Sequence, residues 1–344
     1  MTCSNVELDV HASGIVLLGD ISCDGFRREN AVRIQTNLTI PHMNEFTTSK
    51  GMQSVYLSVP AKKLLQAEYN ADLLHRENVI GMPFGETFDV SGNQVTLVAN
   101  DTMLGSSQVM VVTKDGTRVG YSGLFSWPSK RIIKVDALVL DCGCRNLESV
   151  AEYNERAARK LFERISRGIT NGPVNIVFSK GVFENMLKVV SNFTGFPFIM
   201  LGKTKKQIEV LQDYIGLLIE PIVLEATDDA REAKRSRKYI RLIELQDYKD
   251  PDDLRGNTIF LNAHSDYVVE PVFEYLDELC RISFSIHPSV DGLVEYVAAT
   301  GAQYVVTDSS RSTNAEDISR MLIERLGIES RPSSNLLNRS WGAG

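Results

Sequence analysis

Hydrophobic residues follow two successive patterns along the chain. In the first part they form short β-type runs, at residues 14–18, 33–34, 94–98, 108–113 and 118–121, set between Gly, Asn and Asp turns. Lys114-Asp-Gly-Thr117 separates the last two runs, and its Asp-Gly step supplies the positive φ angles of a tight hairpin turn. This part therefore predicts a mainly antiparallel sheet. One helix is expected within it, over 59–74, where Pro60 stands at a first helical position and apolar residues follow at helical spacing.

The pattern changes after Asp136-Ala-Leu-Val-Leu-Asp141, a buried strand that ends in a carboxylate. Helices are expected at 147–167, 182–190, 205–214, 268–279, 290–299 and 314–326, and strands at 174–178, 196–201, 258–261, 282–285 and 304–307. Such alternation predicts an α/β arrangement with a parallel sheet. Residues 331–344 are polar and poor in core residues, which reads as a flexible tail. Gly202-Lys-Thr204 has Pro197 where a phosphate-binding loop needs glycine, so the backbone there cannot wrap a phosphate.

Composition narrows the setting. A chain of 344 residues with 43% hydrophobic content can bury a large core, in one large domain or two joined ones. No apolar run approaches the roughly 20 residues of a membrane span, and the polar start lacks a signal peptide's charged and apolar regions. A cytoplasmic protein with no membrane partner is expected. Net charge of −7 excludes a global basic footprint, which leaves one concentrated basic stretch, residues 231–241. There Arg235, Arg237 and Lys238 are candidates to grip a nucleic-acid backbone, with Tyr239 to stack on a base, against the plainer reading of a solvated face. Five cysteines, with Cys142 and Cys144 flanking one residue, fit reduced, buried thiols better than a disulfide framework or a soft-metal site. The step from His264 to Asp266 reads as a loop or cap.

Two segments carry the candidate chemistry. Asp101-Thr-Met-Leu-Gly-Ser-Ser-Gln108 and Tyr121-Ser-Gly-Leu-Phe125 keep the glycines and small residues of metal-binding loops but not the ligands. With the flanking strands they resemble the metallo-β-lactamase superfamily in its β-CASP branch. Those nucleases of RNA and DNA include archaeal mRNA 3′-end processing factors and ligase-associated exonucleases. The family's Ala-x-His-x-x-Gly-Ser-x-x-Val stretch falls on residues 99–109, with Thr102 at the histidine. Its Tyr-Ser-Gly-Asp-Phe motif has Leu124 at the bridging aspartate, and its final histidine falls on Ser309. Asp24, Asp141 and His287 match an early supporting aspartate, a strand-end carboxylate and a motif histidine. The His-x-His-x-Asp-His signature is absent, although His42, Asn44 and Glu45 lie in that neighbourhood.

The resemblance implies a four-layer αββα metallo-β-lactamase domain from residues 1–146 and 282–330, with an inserted α/β β-CASP domain at 147–281. A dinuclear hydrolase holds zinc through imidazole and carboxylate ligands, and threonine and leucine cannot replace them. The leading expectation is thus a non-catalytic homologue that needs no cofactor. It would bind RNA, single-stranded DNA or a partner such as an active β-CASP homologue. Asp141 and His287 would be a vestigial pair, weighed as a leftover acid or, preferably, a buried structural contact. The alternatives are a zinc phosphodiesterase rebuilt from Asp24, His42, Asp101, Asp141 and His287, and a homo-oligomeric scaffold with no nucleic-acid role.

Overall fold

A computed structural model describes residues 8–11, 16–18, 21–30, 32–43, 46, 53–69, 76–249, 254–263 and 270–333. The chain divides into two compact units, one of residues 1–62, 72–146 and 287–344, the other of 63–71 and 147–286. Both are mixed α/β.

In the first unit, β1 (Leu8–Val10), β2 (Val16–Leu18), β3 (Ile21–Cys23), β4 (Val32–Ile34), β5 (Ser54–Ser58) and β6 (Val79–Met82) form one sheet in sequence order. The expected antiparallel pairing holds only for β1, β2 and β3; from β3 to β6 the strands run parallel. The return connections explain this: α1 (Val59–Tyr69) carries the chain back between β5 and β6. A second sheet begins with β7 (Thr87–Val90), β8 (Asn93–Ala99), β9 (Ser107–Val112) and β10 (Arg118–Tyr121), all antiparallel, before β11 (Ala137–Leu140) joins in parallel. In the hairpin between β9 and β10, positive φ falls on Gly116 at +85°.

The second unit opens with α2 (Val150–Asn171), begun by an N-cap in which Ser149 Oγ accepts from the Glu152 amide at 3.2 Å. Tyr153, Ala157, Leu161, Ile165 and Ile169 recur every four residues as its buried stripe. There follow β12 (Val174–Phe178), α3 (Phe183–Val190), β13 (Phe198–Met200), α4 (Gly202–Ile215), β14 (Ile222–Leu224), α5 (Asp228–Ser236), β15 (Ile240–Glu244), β16 (Asn257–Asn262), β17 (Val272–Leu276) and β18 (Leu279–Ser283). Their order is β14-β13-β15-β12-β16-β18-β17, parallel except for β17. Where a helix is expected over 268–279, the described residues 270–279 form strand β17 and its turn into β18. Val272, Phe273 and Tyr275 favour strand, and the segment pairs with β18 through Val272, Phe273, Glu274 and Leu276, with an irregularity between Glu274 and Leu276. That pairing also draws residues 282–286 into this unit rather than the first.

The chain then returns to the first unit through α6 (Val290–Thr300), β19 (Tyr304–Thr307), α7 (Ala315–Leu326) and β20 (Glu329–Pro332), completing the order β20-β19-β11-β10-β9-β8-β7. Residues 331–333 are therefore not tail: Arg331 and Pro332 pair with β19 and Ser333 is buried. A polar edge strand escapes a reading based on hydrophobic runs. Residues 334–344 lie outside the described residues. Alternation on β11 sorts the layers. Ala137 and Val139 pack with Val16, Ile21 and Ile34 between the two sheets. Leu138 and Leu140 face Leu293 and Val297 of α6 and Ile318 and Leu322 of α7.

Candidate functional site

Three parallel strands of the first unit, β3, β11 and β19, are each followed immediately by a buried aspartate: Asp24, Asp141 and Asp308. The carboxyl ends of parallel strands are where α/β folds place chemistry, because the loops leaving them diverge. Asp24 adopts φ +55°, a left-handed conformation that aspartate tolerates better than most residues. Its Oδ1 accepts from the Thr36 amide at 2.7 Å and Gln35 Nε2 at 3.2 Å, and its Oδ2 from Thr36 Oγ1 at 2.6 Å. His42 Nδ1 lies 2.8 Å from the same Oδ2. An ionised carboxylate only accepts, so the proton lies on Nδ1. Burial would raise the Asp24 pKa, but His42, Arg311 and Thr36 outweigh it and hold it below the ordinary carboxylate range.

Asp141 is less well served. Its Oδ1 accepts from the Gly143 amide at 2.9 Å, while His42 Nε2 stands 3.7 Å from its Oδ2. Burial pushes its pKa up, with Asp308 adding to the effect and His42 and Arg311 opposing it. Arg311 is itself nearly buried, with Nη1 2.6 Å from Asp308 Oδ2, and Asp308 Oδ1 accepts from the Ser310 amide and hydroxyl at 2.7 and 2.5 Å. Burial opposes the Arg311 charge, yet Tyr121, Asp308, Asp24 and Asp141 more than offset this and push its pKa up. The cluster is thus three carboxylates sharing a guanidinium and an imidazole. Behind it, Gln35 Oε1 accepts from Arg33 Nη2 at 2.6 Å, and Gln35 Nε2 donates to the carbonyls of Asn37 and His42.

No family model matches the chain. A protein from Acidianus ambivalens described as an uncharacterized protein in lig 3'region is 25% identical over 138 residues, 39% of this chain and 99% of that one. The crystal structure of a protein of unknown function from Enterococcus faecalis V583 superposes with a TM-score of 0.57 at 12% identity, covering 89% of this chain and 79% of that one. The likeness is one of fold.

The loops at 101–108 and 121–125 meet. Thr102 Oγ1 and Asn100 Nδ2 both donate to the Leu124 carbonyl at 2.9 Å, and the Leu124 side chain is buried. Ser309 Oγ lies 2.6 Å from Ser333 Oγ. Gly143 brings the half-buried His287 beside Asp141: a methyl group there would stand 2.2 Å from His287 Nδ1 and 3.2 Å from Asp141 Oδ1. Asp101 does not join them. It is exposed and accepts from the Lys130 amide at 2.7 Å, holding a surface turn. Asn44, Glu45, His75, His264 and Asp266 lie outside the described residues. Cys142 and Cys144 are buried in the core, where burial raises both thiol pKa values. Packing fixes glycine at position 105. With φ +86°, it sits where a methyl group would approach the Ala61 amide nitrogen to 2.6 Å. Gly105→Ala is expected to cost about 2 kcal/mol, read from the shift in chemical unfolding midpoint.

Tyr239 requires a correction. It is 7% exposed and packs against Ile199, Ala230 and Ala233, so it cannot stack on a base. Arg235, Arg237 and Lys238 remain exposed at the end of α5. Sequence reading missed Asp308, Arg311, Gln35 and Arg33; the recurrence of an aspartate just past a buried strand was the available signal for Asp308.

Proposed function

We propose that this chain is a non-catalytic relative of the β-CASP nucleases: a four-layer αββα metallo-β-lactamase domain carrying a β-CASP insertion, which binds nucleic acid or a partner protein without cleaving it. The observation that carries the reading is Arg311, whose guanidinium shares the cluster with Asp24, Asp141 and Asp308. The two stacked sheets, with α6 and α7 over one of them, agree with the fold. The Asp24–His42 bond supports an alignment in which His42 ends the histidine signature, so that Asn37, Thr39 and Pro41 occupy its other three positions.

The residues present do not fit a dinuclear metal centre. All four lone-pair directions of Asp24 already receive donors, Thr102 and Leu124 offer no ligand, and a fixed cation repels a second one. Among the described residues, no three His, Cys, Asp or Glu side chains are grouped to hold a metal ion. Metal analysis of the purified chain is expected to find no stoichiometric zinc. Two tightly held equivalents, with nuclease activity lost on His287→Ala, would sink the proposal. Binding to single-stranded RNA is expected to weaken with salt. Neutralising Arg235, Arg237 and Lys238 should reduce the logarithmic salt slope by roughly 0.7 per lost phosphate contact. An unchanged slope removes that surface from the reading.

A further inference from the structure

In the second unit, β13 and β15 are parallel neighbours, yet the chain leaves β13 toward β14 on one side and β15 toward β16 on the other. Connections that part in this way open a crevice at the carboxyl ends of the strands, where doubly wound sheets take their ligands. Here the crevice is lined with charge. Lys203, in the first turn of α4, reaches Asp247 Oδ1 at 2.8 Å and stands 3.8 Å from Glu244 Oε2 at the end of β15. Just past β12, Lys180 Nζ stands 4.0 Å from Glu244 Oε1 and donates to both oxygens of Glu68. Glu244 Oε2 and Asp247 Oδ2 are buried with no hydrogen-bond donor among the described residues, and burial raises the Glu244 pKa against the pull of both lysines. The start of α4 is equally underserved. Leu201 at its N-cap offers no side-chain acceptor, and the hydroxyl of Thr204, a residue only 1% exposed, has no partner among the described residues. Helical side chains lean toward the N-terminus, which aims this hydroxyl at the same end. A methyl group on Gly202 would meet nothing within 4 Å, so the space over the helix start is open. Around it, Leu201, Leu224 and Leu245, at the ends of β13, β14 and β15, are 37%, 37% and 48% exposed.

We propose that this crevice binds a nucleoside 5′-monophosphate, with the phosphate on the first turn of α4, the ribose diol on Asp247 and the base against the leucine rim. The inference goes beyond the nuclease-like reading and does not depend on it. Each part of the ligand answers a different group. Outward-facing amides, the positive end of the α4 dipole and the Lys203 ammonium favour one phosphate. With Pro197 in place of glycine the chain cannot wrap a polyphosphate, but a single terminal phosphate needs only the helix end. A carboxylate with a free oxygen accepts from hydroxyls, as acidic residues of nucleotide-binding sheets accept from ribose. The exposed leucines take the apolar face of a base. A bare cation suits the crevice less well, because two ammonium groups already stand among its carboxylates.

Isothermal titration of the full chain with adenosine 5′-monophosphate is expected to show one site with a dissociation constant below about 1 mM. The 2′,3′-dideoxy analogue should bind about tenfold more weakly, since it has no hydroxyl to donate to Asp247, and in Asp247→Asn that difference should shrink. Gly202→Glu should weaken binding about tenfold or more while the melting temperature holds or rises, because a first-turn carboxylate suits the helix and takes the place of the phosphate. Absence of binding at millimolar nucleotide overturns the proposal, as does undiminished binding to Gly202→Glu. Ribose 5-phosphate or inorganic phosphate binding as tightly as the nucleotide overturns it too, since the base or the diol would then contribute nothing.

Discussion

Replacing Arg311 with methionine is expected to destabilise the first unit by about 3–5 kcal/mol, the largest effect of any single substitution considered. Methionine fills much of the same volume, so the loss measures charge rather than a cavity. Without the guanidinium, Asp308 keeps its two Ser310 donors but has no counter-charge, and Asp24 and Asp141 lose the cation they share with it. Urea unfolding of the variant would show a lower midpoint at unchanged slope. Adding Asp308→Asn should recover part of the loss, since the pair is coupled and its substitutions do not add. A loss below about 1 kcal/mol would mean that the carboxylates discharge by taking up protons, and that Arg311 is not what balances them.

Asp24→Asn is expected to cost about 3 kcal/mol at neutral pH, whereas Asp141→Asn should be neutral or stabilise by about 1 kcal/mol. Every group around the Asp24 oxygens is a donor, so an amide nitrogen placed there would meet Thr36 or His42 donor to donor. Asparagine at 141 keeps an oxygen for the Gly143 amide and removes a poorly compensated charge. The pH dependence separates them. Asp24 has a lowered folded pKa, so its contribution is complete above the unfolded value of about 3.9 and is lost as pH falls through the folded one. Asp141 has a raised folded pKa, so its contribution is complete below about 3.9 and is lost as pH rises through the folded one. Unfolding curves across the acid range should therefore flatten for Asp24→Asn and steepen for Asp141→Asn. The same tilt in both variants would contradict the assignment.

Much of this architecture was legible in hydrophobic periodicity. The runs at 174–178 and 304–307 coincide with β12 and β19, and the helices expected at 182–190, 205–214, 290–299 and 314–326 stand within about a turn of those observed. Residues 268–279 failed because an exposed edge strand shows no one-sided burial. Its neighbour β18, rather than its own spacing, decides its state. In the site, Asp24, His42 and Asp141 could be named as candidates, but the groups that balance them could not. Arg311 sits in Asp308-Ser-Ser-Arg-Ser-Thr313, which reads as an ordinary solvated turn. Only the fold reveals that this turn closes over the end of β19 with its arginine directed inward. Tyr239 erred in the opposite direction: a basic run ahead of it suggested surface, while the residue leads into the buried strand β15.

The buried guanidinium also changes what this protein asks of its surroundings. A bound metal stabilises a fold by mass action, in proportion to the logarithm of its free concentration over its dissociation constant, and the contribution vanishes when the ion is scarce. A cation tethered through Arg311 has no free concentration to fall. It is synthesised with the chain in a ratio fixed at one, beside the aspartates it neutralises. The stability of the first unit should then be the same in metal-replete and metal-starved media, which a melting temperature unmoved by chelators would report.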